Sequence, residues 1–182
     1  SAVARRALEM GARIVNDQWG LQGDAAMADV AAAFGAIVVA MHNQRGHAYG
    51  DLMTDIAAFF EASLARAEAA GLGRRRVILD PGFGFGKTAA QNLDVLRRLG
   101  EFRALGRPIL IGTSRKSMIG HALPAQAPHE RVEGTAATVA LGVAFGADIV
   151  RVHDVRAMAR VVRMADAVVR GHPTIPSGTT VI

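Results

Sequence analysis

The 182-residue sequence contains no cysteine, which excludes disulfides, thiolate catalysis and thiolate metal sites. Lysine is almost missing. Lys87 and Lys116 are the only two, so arginine supplies nearly all of the positive charge behind a formal net charge of +5. Aromatic residues make up 5%. No apolar run reaches the roughly 20 residues of a membrane-spanning helix, so a soluble protein is expected. No basic segment followed by an apolar stretch and a cleavage site is visible, so no secretory signal is expected either. With the missing cysteine, this fits a cytoplasmic protein. The six histidines form neither HxH nor HxxxH. The arginines are scattered, and no helix-turn-helix, zinc-finger or RNP-like pattern accompanies them, which argues against nucleic acid as a partner. The densest run, Arg74 to Arg76, precedes a buried-looking strand and reads as a solvated edge. The basic excess equally suits an anionic small substrate.

What is present is a chain that is 51% hydrophobic, enough for one sizeable core and a single domain. Five short runs rich in Val and Ile read as strands buried on both faces: ARIVN (12–16), AIVVAM (36–41), RVILD (76–80), PILIG (108–112) and DIVRV (148–152). Amphipathic patterns between them predict helices over 24–34, 51–70, 89–105, 133–145 and 155–169. Asp24, Asp51 and Asp154 are expected N-caps, and Gly35, Gly71, Gly106 and Gly146 suit helix C-termini. The loose segments are 44–50, 123–130 and the tail 171–182, which is expected to be irregular.

Such a β-α series forms either a doubly wound sheet or a β/α barrel. Asn16 and Asp17, Met41 and His42, Asp80, Thr113 to Lys116, and Arg151 with His153 all stand at or just past strand C-terminal ends. Polar residues gathered from every strand end are what the active face of a barrel requires. A complete eight-stranded barrel needs about 250 residues, so five strands imply an open sheet or part of a barrel.

DPGFGFGKT (80–88) imitates a phosphate-binding loop. Gly86, Lys87 and Thr88 satisfy the end of GxxxxGK[ST], but the first glycine position holds Pro81, which has no N–H for the amide lining. Gly84, Gly86 and Ala89 give GxGxxA without a second mononucleotide-binding half. The stretch does place a carboxylate, Asp80, at a strand end. A buried aspartate can accept two ring N–H groups of an aminopyrimidine. Gly82, Gly84 and Gly86 allow close backbone approach to a flat ligand, and Phe83 and Phe85 can alternate between core and ligand. The plainer alternative makes Asp80 a cap and both phenylalanines core.

VNDQWG (15–20), VVAMHN (38–43), ILDPGFGFGK (78–87), ILIGTSRKSMIG (109–120), ERVEGTAATVALG (130–142) and ADIVRVHDV (147–155) together resemble the dihydropteroate synthases of the folate pathway. The motifs stand in family order and cover residues 1 to about 170. The resemblance implies a TIM-type (β/α)8 barrel, of which this chain supplies strands four to eight. It implies condensation of 6-hydroxymethyl-7,8-dihydropterin pyrophosphate with 4-aminobenzoate, Mg²⁺ carried mainly on the pyrophosphate, sulfonamide competition and a homodimer. By position, Asn16, Met41, Asp80, Phe85 and Lys116 look like the pterin site. Phe85, Arg115 and Ser117 look like the aminobenzoate side, and Arg151 and His153 like the pyrophosphate ligands. Lys116, Arg151 and His153 would carry the catalysis. Taken alone, Arg115 could equally be a surface ion-pair partner and His153 could be satisfied by Asp154 or a backbone carbonyl.

Three strands that the family places in front are not among these residues, so low activity is expected of this portion by itself. MHNQRG, where many members read MHM and a longer segment, and Trp19 in NDQWG are further departures. A methyl-transferring pterin barrel, a degenerate non-catalytic paralogue and a nucleotide-binding module are the rival readings. Lys87, the residue that suggests a phosphate loop, has no role in the leading one.

Overall fold

The computed structural model describes residues 1–123 and 127–171, together with the backbone of Thr180–Val181. All five expected strands form. They are β1 (Ile14–Asp17), β2 (Ile37–Met41), β3 (Val77–Asp80), β4 (Leu110–Ile111) and β5 (Ile149–Val150). β1 pairs parallel with β2, β2 with β3, and β4 with β5. A bridge between Leu79 and Ile109, with the Leu79 N–H donating to the Pro108 carbonyl at 2.9 Å, carries the order from β3 to β4. The spatial order of these five is therefore the chain order. A doubly wound sheet reverses direction at a switch point. No reversal occurs among the described strands, so the fold is an α/β array of parallel strands of the kind found in TIM-barrel-type domains.

The helices are α1 (Ala2–Glu9), α2 (Met27–Ala33), α3 (Leu52–Ala69), α4 (Ala89–Arg97), α5 (Ser117–Ala122), α6 (Val132–Ala144) and α7 (Val155–Arg170). α3 has the expected start, because the Asp51 carboxylate accepts the Thr54 N–H at 2.9 Å. The other two expected caps stand differently. Asp24 is displaced from its cap: it accepts the Ala26 N–H at 3.0 Å, in a turn that delays α2 to Met27. Asp154 does hold the N-cap position of α7, but its side chain makes no cap bond, because its carboxylate is drawn to Arg115. The single helix expected over 89–105 stops at Arg97, and Leu99–Leu105 continues as tighter 3-10 turns. Gly100 lies in that segment, and glycine weakens a helix interior. The short α5 carries no apolar stripe long enough to announce it.

The core lies between the strands and the helices. Phe60 of α3 and Phe102 meet edge to face at 5.4 Å, with Val38, Ala40, Leu64, Val77, Val95 and Val143 buried around them. β2 is covered on both faces, as its composition requires. β1 departs from that expectation: Val15 is buried but Ile14 is 48% exposed. β1 pairs with β2 alone among the described strands. A groove of about 550 Å³, walled by α1, Ile14 and Met27, runs along its other side.

The expected irregular tail is corrected at two positions. Thr180–Val181 forms a sixth short strand, β6, parallel to β5. Residues 172–179 and 182 of the tail, and 124–126 of the loose 123–130 segment, lie outside the described residues.

Candidate functional site at the C-terminal strand ends

β3 delivers Asp80 to its C-terminal end, where the side chain is wholly buried. Its Oδ1 accepts the Gly82 N–H at 2.8 Å, and its Oδ2 accepts Arg151 Nη2 at 2.8 Å. Arg151 follows β5, yet its Nη1 donates to Asn16 Oδ1 of β1 at 3.0 Å. One guanidinium thus joins the C-terminal ends of β1, β3 and β5, so the strands curve about a shared mouth. Gly112, past β4, makes room for it: a Cβ there would lie 2.8 Å from Arg151 Nη2. Met41, paired with Asp80 in the β2–β3 register, is buried beside the carboxylate's strand. Burial pushes the Asp80 pKa up; Arg151 and the Gly82 N–H pull against that rise.

The glycine-rich stretch leaves β3 as a loop over Pro81 to Thr88. Gly82, Gly84 and Gly86 all take left-handed φ values of 69°, 81° and 57°, which only glycine adopts freely. The two phenylalanines do alternate. Phe83 is buried, while Phe85 is partly open, and its ring lies 4.4 Å from the Lys116 ammonium, a cation–π distance. Burial, then the Arg151 charge, lowers the Lys116 pKa, with Asp80 opposing. Asn16, Met41, Asp80, Phe85, Lys116 and Arg151 are therefore gathered at one mouth.

Three sequence-predicted residues stand differently. Arg115 adopts a left-handed backbone at φ 59°, a strained conformation for a residue of its bulk. Its guanidinium grips Asp154 in two bonds of 2.8 and 3.2 Å, which is the ion-pair alternative raised from sequence. His153 is exposed, and its Nδ1 lies 2.9 Å from Ser114 Oγ. Its ring hydrogen-bond partner is thus Ser114, while Asp154 meets it only through charge. Ser117 is exposed at the first position of α5. The Arg151 side chain bonds to Asn16 and Asp80 rather than to His153.

Sequence reasoning missed a second layer behind the mouth. Lys87 is buried at 6% exposure; its Nζ lies 3.0 Å from His42 Nδ1 and donates to the Phe85 carbonyl at 2.9 Å. Burial, then the Lys87 charge, pushes His42 down to about 3. That keeps the ring neutral and its Nδ1 free to accept. Burial pushes Lys87 down to about 8, with Asp80 opposing. Asn92, also buried, accepts the Gly84 N–H at 2.9 Å. The available signal was scarcity: the chain's only two lysines both serve this region. No group of three His, Cys, Asp or Glu side chains able to hold a metal exists among the described residues.

A model of the family described as pterin binding enzyme matches residues 1–153. The chain is 47% identical over 167 residues to the dihydropteroate synthase of Bacillus subtilis, covering 92% of this chain and 58% of that protein. It is 38% identical to the Escherichia coli dihydropteroate synthase, covering 91% and 60%. The crystal structure of Clostridium difficile dihydropteroate synthase in the presence of pteroic acid superposes with a TM-score of 0.91 at 50% identity, covering 93% of this chain and 64% of that one. The Thermus thermophilus dihydropteroate synthase in complex with 6HMPPP gives 0.85 at 43% identity, covering 91% and 66%. The chain thus spans about three-fifths of the length of these curated relatives, 58% and 60%.

The perturbed lysine gives a pH test. A lysine lowered from 10.5 to about 8 on folding holds fewer protons folded than unfolded between those values, so raising the pH through that window favours the folded state. Urea unfolding should show stability climbing by roughly 3 kcal/mol across it. Lys87→Met should remove that component; identical pH profiles for the two proteins would contradict the burial of a charged Lys87.

Proposed function

Because the chain belongs to the pterin-binding enzymes, we propose that it is part of a dihydropteroate synthase, in which β1 to β5 are the fourth to eighth strands of a (β/α)8 barrel. The reaction joins 6-hydroxymethyl-7,8-dihydropterin pyrophosphate to 4-aminobenzoate and releases pyrophosphate. One observation carries the reading. Asp80 and Asn16 are bridged by the Arg151 guanidinium, and a guanidinium offers the same N–C–N row of donors as the aminopyrimidine edge of a pterin. Ligand-bound relatives support it. The Thermus protein is named in complexes with 6HMPPP and with 4-aminobenzoate, and a Yersinia pestis relative with a sulfonamide drug.

In this proposal the pterin takes over Asp80 and Asn16, lies against Met41 and reaches Lys116. Arg151, released from Asp80, joins His153 on the departing pyrophosphate. Phe85, Ser117 and Arg115 border the aminobenzoate, which requires Arg115 to loosen its hold on Asp154. The C–O bond to pyrophosphate breaks with its electron pair leaving on oxygen. The arylamine lone pair forms the new C–N bond, and the nitrogen then loses a proton. Alignment of the two reactants and neutralisation of the leaving oxygens supply the catalysis. A neutral arylamine needs no covalent nucleophile to prepare it.

Mg²⁺ belongs to the proposal as the companion of the pyrophosphate. The described residues form no cage of three ligating side chains, so the pyrophosphate oxygens would be its main ligands, and no step is derived through it. A cytoplasmic setting, without nucleic acid or membrane partners, is likewise proposed. Among the described residues no helix is long and apolar enough to cross a membrane.

We also propose a homodimer through α6 and α7. Leu141, Met164, Val168 and Val169 are 46–73% exposed and border one groove of about 760 Å³ between those helices. Contiguous exposed apolar surface of this kind marks an interaction face.

Three experiments test these statements. Asp80→Ala in the full-length enzyme should abolish binding of the pterin pyrophosphate; unchanged affinity by calorimetry refutes the pterin assignment. The 182-residue chain assayed alone with both substrates should turn over at least about 100-fold more slowly than the complete enzyme, because part of the proposed mouth is supplied elsewhere. Equal rates would contradict the partial-barrel reading. Met164→Glu combined with Val168→Glu should convert the dimer to monomer in sedimentation velocity. Persistence of a dimer would place the interface on another face.

A further inference from the structure

We infer that Lys87 is a positioning residue for the pterin pocket: by tying the β3–α4 loop to the end of β2, it holds Phe85 beneath the Lys116 ammonium. The inference rests on the pterin reading above and concerns a residue which that reading leaves unused.

The loop over Pro81 to Thr88 has little shape of its own. Three left-handed glycines at alternate positions leave a backbone with weak intrinsic preference. Its form must come from what it touches. At Gly82 the backbone is pressed so closely on β2 that a Cβ would lie 2.0 Å from the His42 carbonyl oxygen. At Gly86 a Cβ would lie 2.7 Å from the Gln44 carbonyl oxygen, and the Tyr49 hydroxyl donates to the Gly86 carbonyl at 2.7 Å. Phe85 lies between these two anchored points, and its carbonyl accepts the Lys87 ammonium at 2.9 Å.

The other end of the strut is itself fixed. Lys87 Nζ sits 3.0 Å from His42 Nδ1. The His42 N–H donates to the Asp80 carbonyl at 2.8 Å, and its ring meets Phe59 edge to face at 4.8 Å. The strut therefore runs from the β2 end, beside Asp80, to the backbone that carries the Phe85 ring. That ring lies 4.4 Å from Lys116 Nζ, and the neighbouring Gly84 is close enough that a Cβ would lie 3.1 Å from Lys116 Cδ. A shift of the loop is thus a shift of the platform under Lys116.

A merely space-filling residue at this depth would be apolar, since burying an ammonium is costly without partners. An ammonium has three donors radiating from one atom and can hold a ring nitrogen and a carbonyl together. Misplacing a binding surface by about an ångström is enough to cost much of its effect.

The test uses the full-length enzyme and 6-hydroxymethyl-7,8-dihydropterin pyrophosphate, with its dissociation constant read by pterin fluorescence and compared at equal folded fraction. Lys87→Met should weaken binding about tenfold, the scale of one lost charge-assisted hydrogen bond, while Asp51→Ala, which removes only the cap of α3, should lower the unfolding midpoint and leave the constant unchanged. Lys87→Met introduced into Phe85→Leu should add no further loss. Should Lys87→Met not fold, Lys87→Gln, with an amide that reaches one partner, is expected to show a smaller loss. An unchanged constant in whichever variant folds, or additive losses with Phe85→Leu, overturns the positioning role. Absence of binding in the unmutated enzyme would instead overturn the pterin reading, and the positioning role with it.

Discussion

The Asp80 carboxylate is wholly buried at a strand end, and an anion in that position is sustained only by what surrounds it. The Gly82 N–H and the Arg151 guanidinium supply the two bonds. Much of the mouth follows from satisfying this one group. The loop after β3 must turn back sharply enough to aim an amide at Oδ1, which requires glycine at position 82. Arg151 must cross from β5, which requires glycine at position 112. Asn16 completes the arrangement by accepting the second arm of the guanidinium. Strands far apart in sequence are thereby registered at their chemical ends as well as through their ladders.

Around this single carboxylate the fold collects more positive charge than it needs. Arg151 bonds to it, and the charges of Lys116 and Lys87 both feel it. A mouth with one buried anion and three cations carries a local positive excess, and a cleft of one sign attracts ligands of the other. The proposed substrate has a pyrophosphate, so the asymmetry has the right direction. The sign of this local charge agrees with the proposed reaction, which the overall +5 by itself does not indicate.

Five strands and most helices were legible because parallel buried strands leave continuous Val and Ile runs, and surface helices leave spaced stripes. RVILD became Val77–Asp80 and AIVVAM became Ile37–Met41 with only end residues changed. The alternation of Phe83 inward and Phe85 toward the mouth was legible for the same periodic reason. What could not be read were partnerships between distant loops. Arg115 meets Asp154 across 39 positions and Lys87 meets His42 across 45, and nothing local encodes either. Asp154 looked like a cap because caps are local, and a tertiary partner outcompeted the cap. Lys87 looked expendable once the phosphate-loop pattern failed at Pro81, because its burial depends on a histidine in another loop. The roles given to Arg115, His153 and Ser117 came from resemblance alone.

The Arg151 bridge has one more consequence. It makes the pocket its own first ligand. Any molecule that seeks Asp80 competes with a tethered group already present at high effective concentration, and its apparent affinity is reduced by the fraction of time the arginine occupies the carboxylate. A fragment with a single donor gains little by displacing two existing bonds. A flat ligand that offers a full row of donors, and at its far end an anion to receive the evicted arginine, recovers what the displacement cost. Discrimination would then reside less in the shape of the cavity than in what a newcomer can offer the side chain it dislodges.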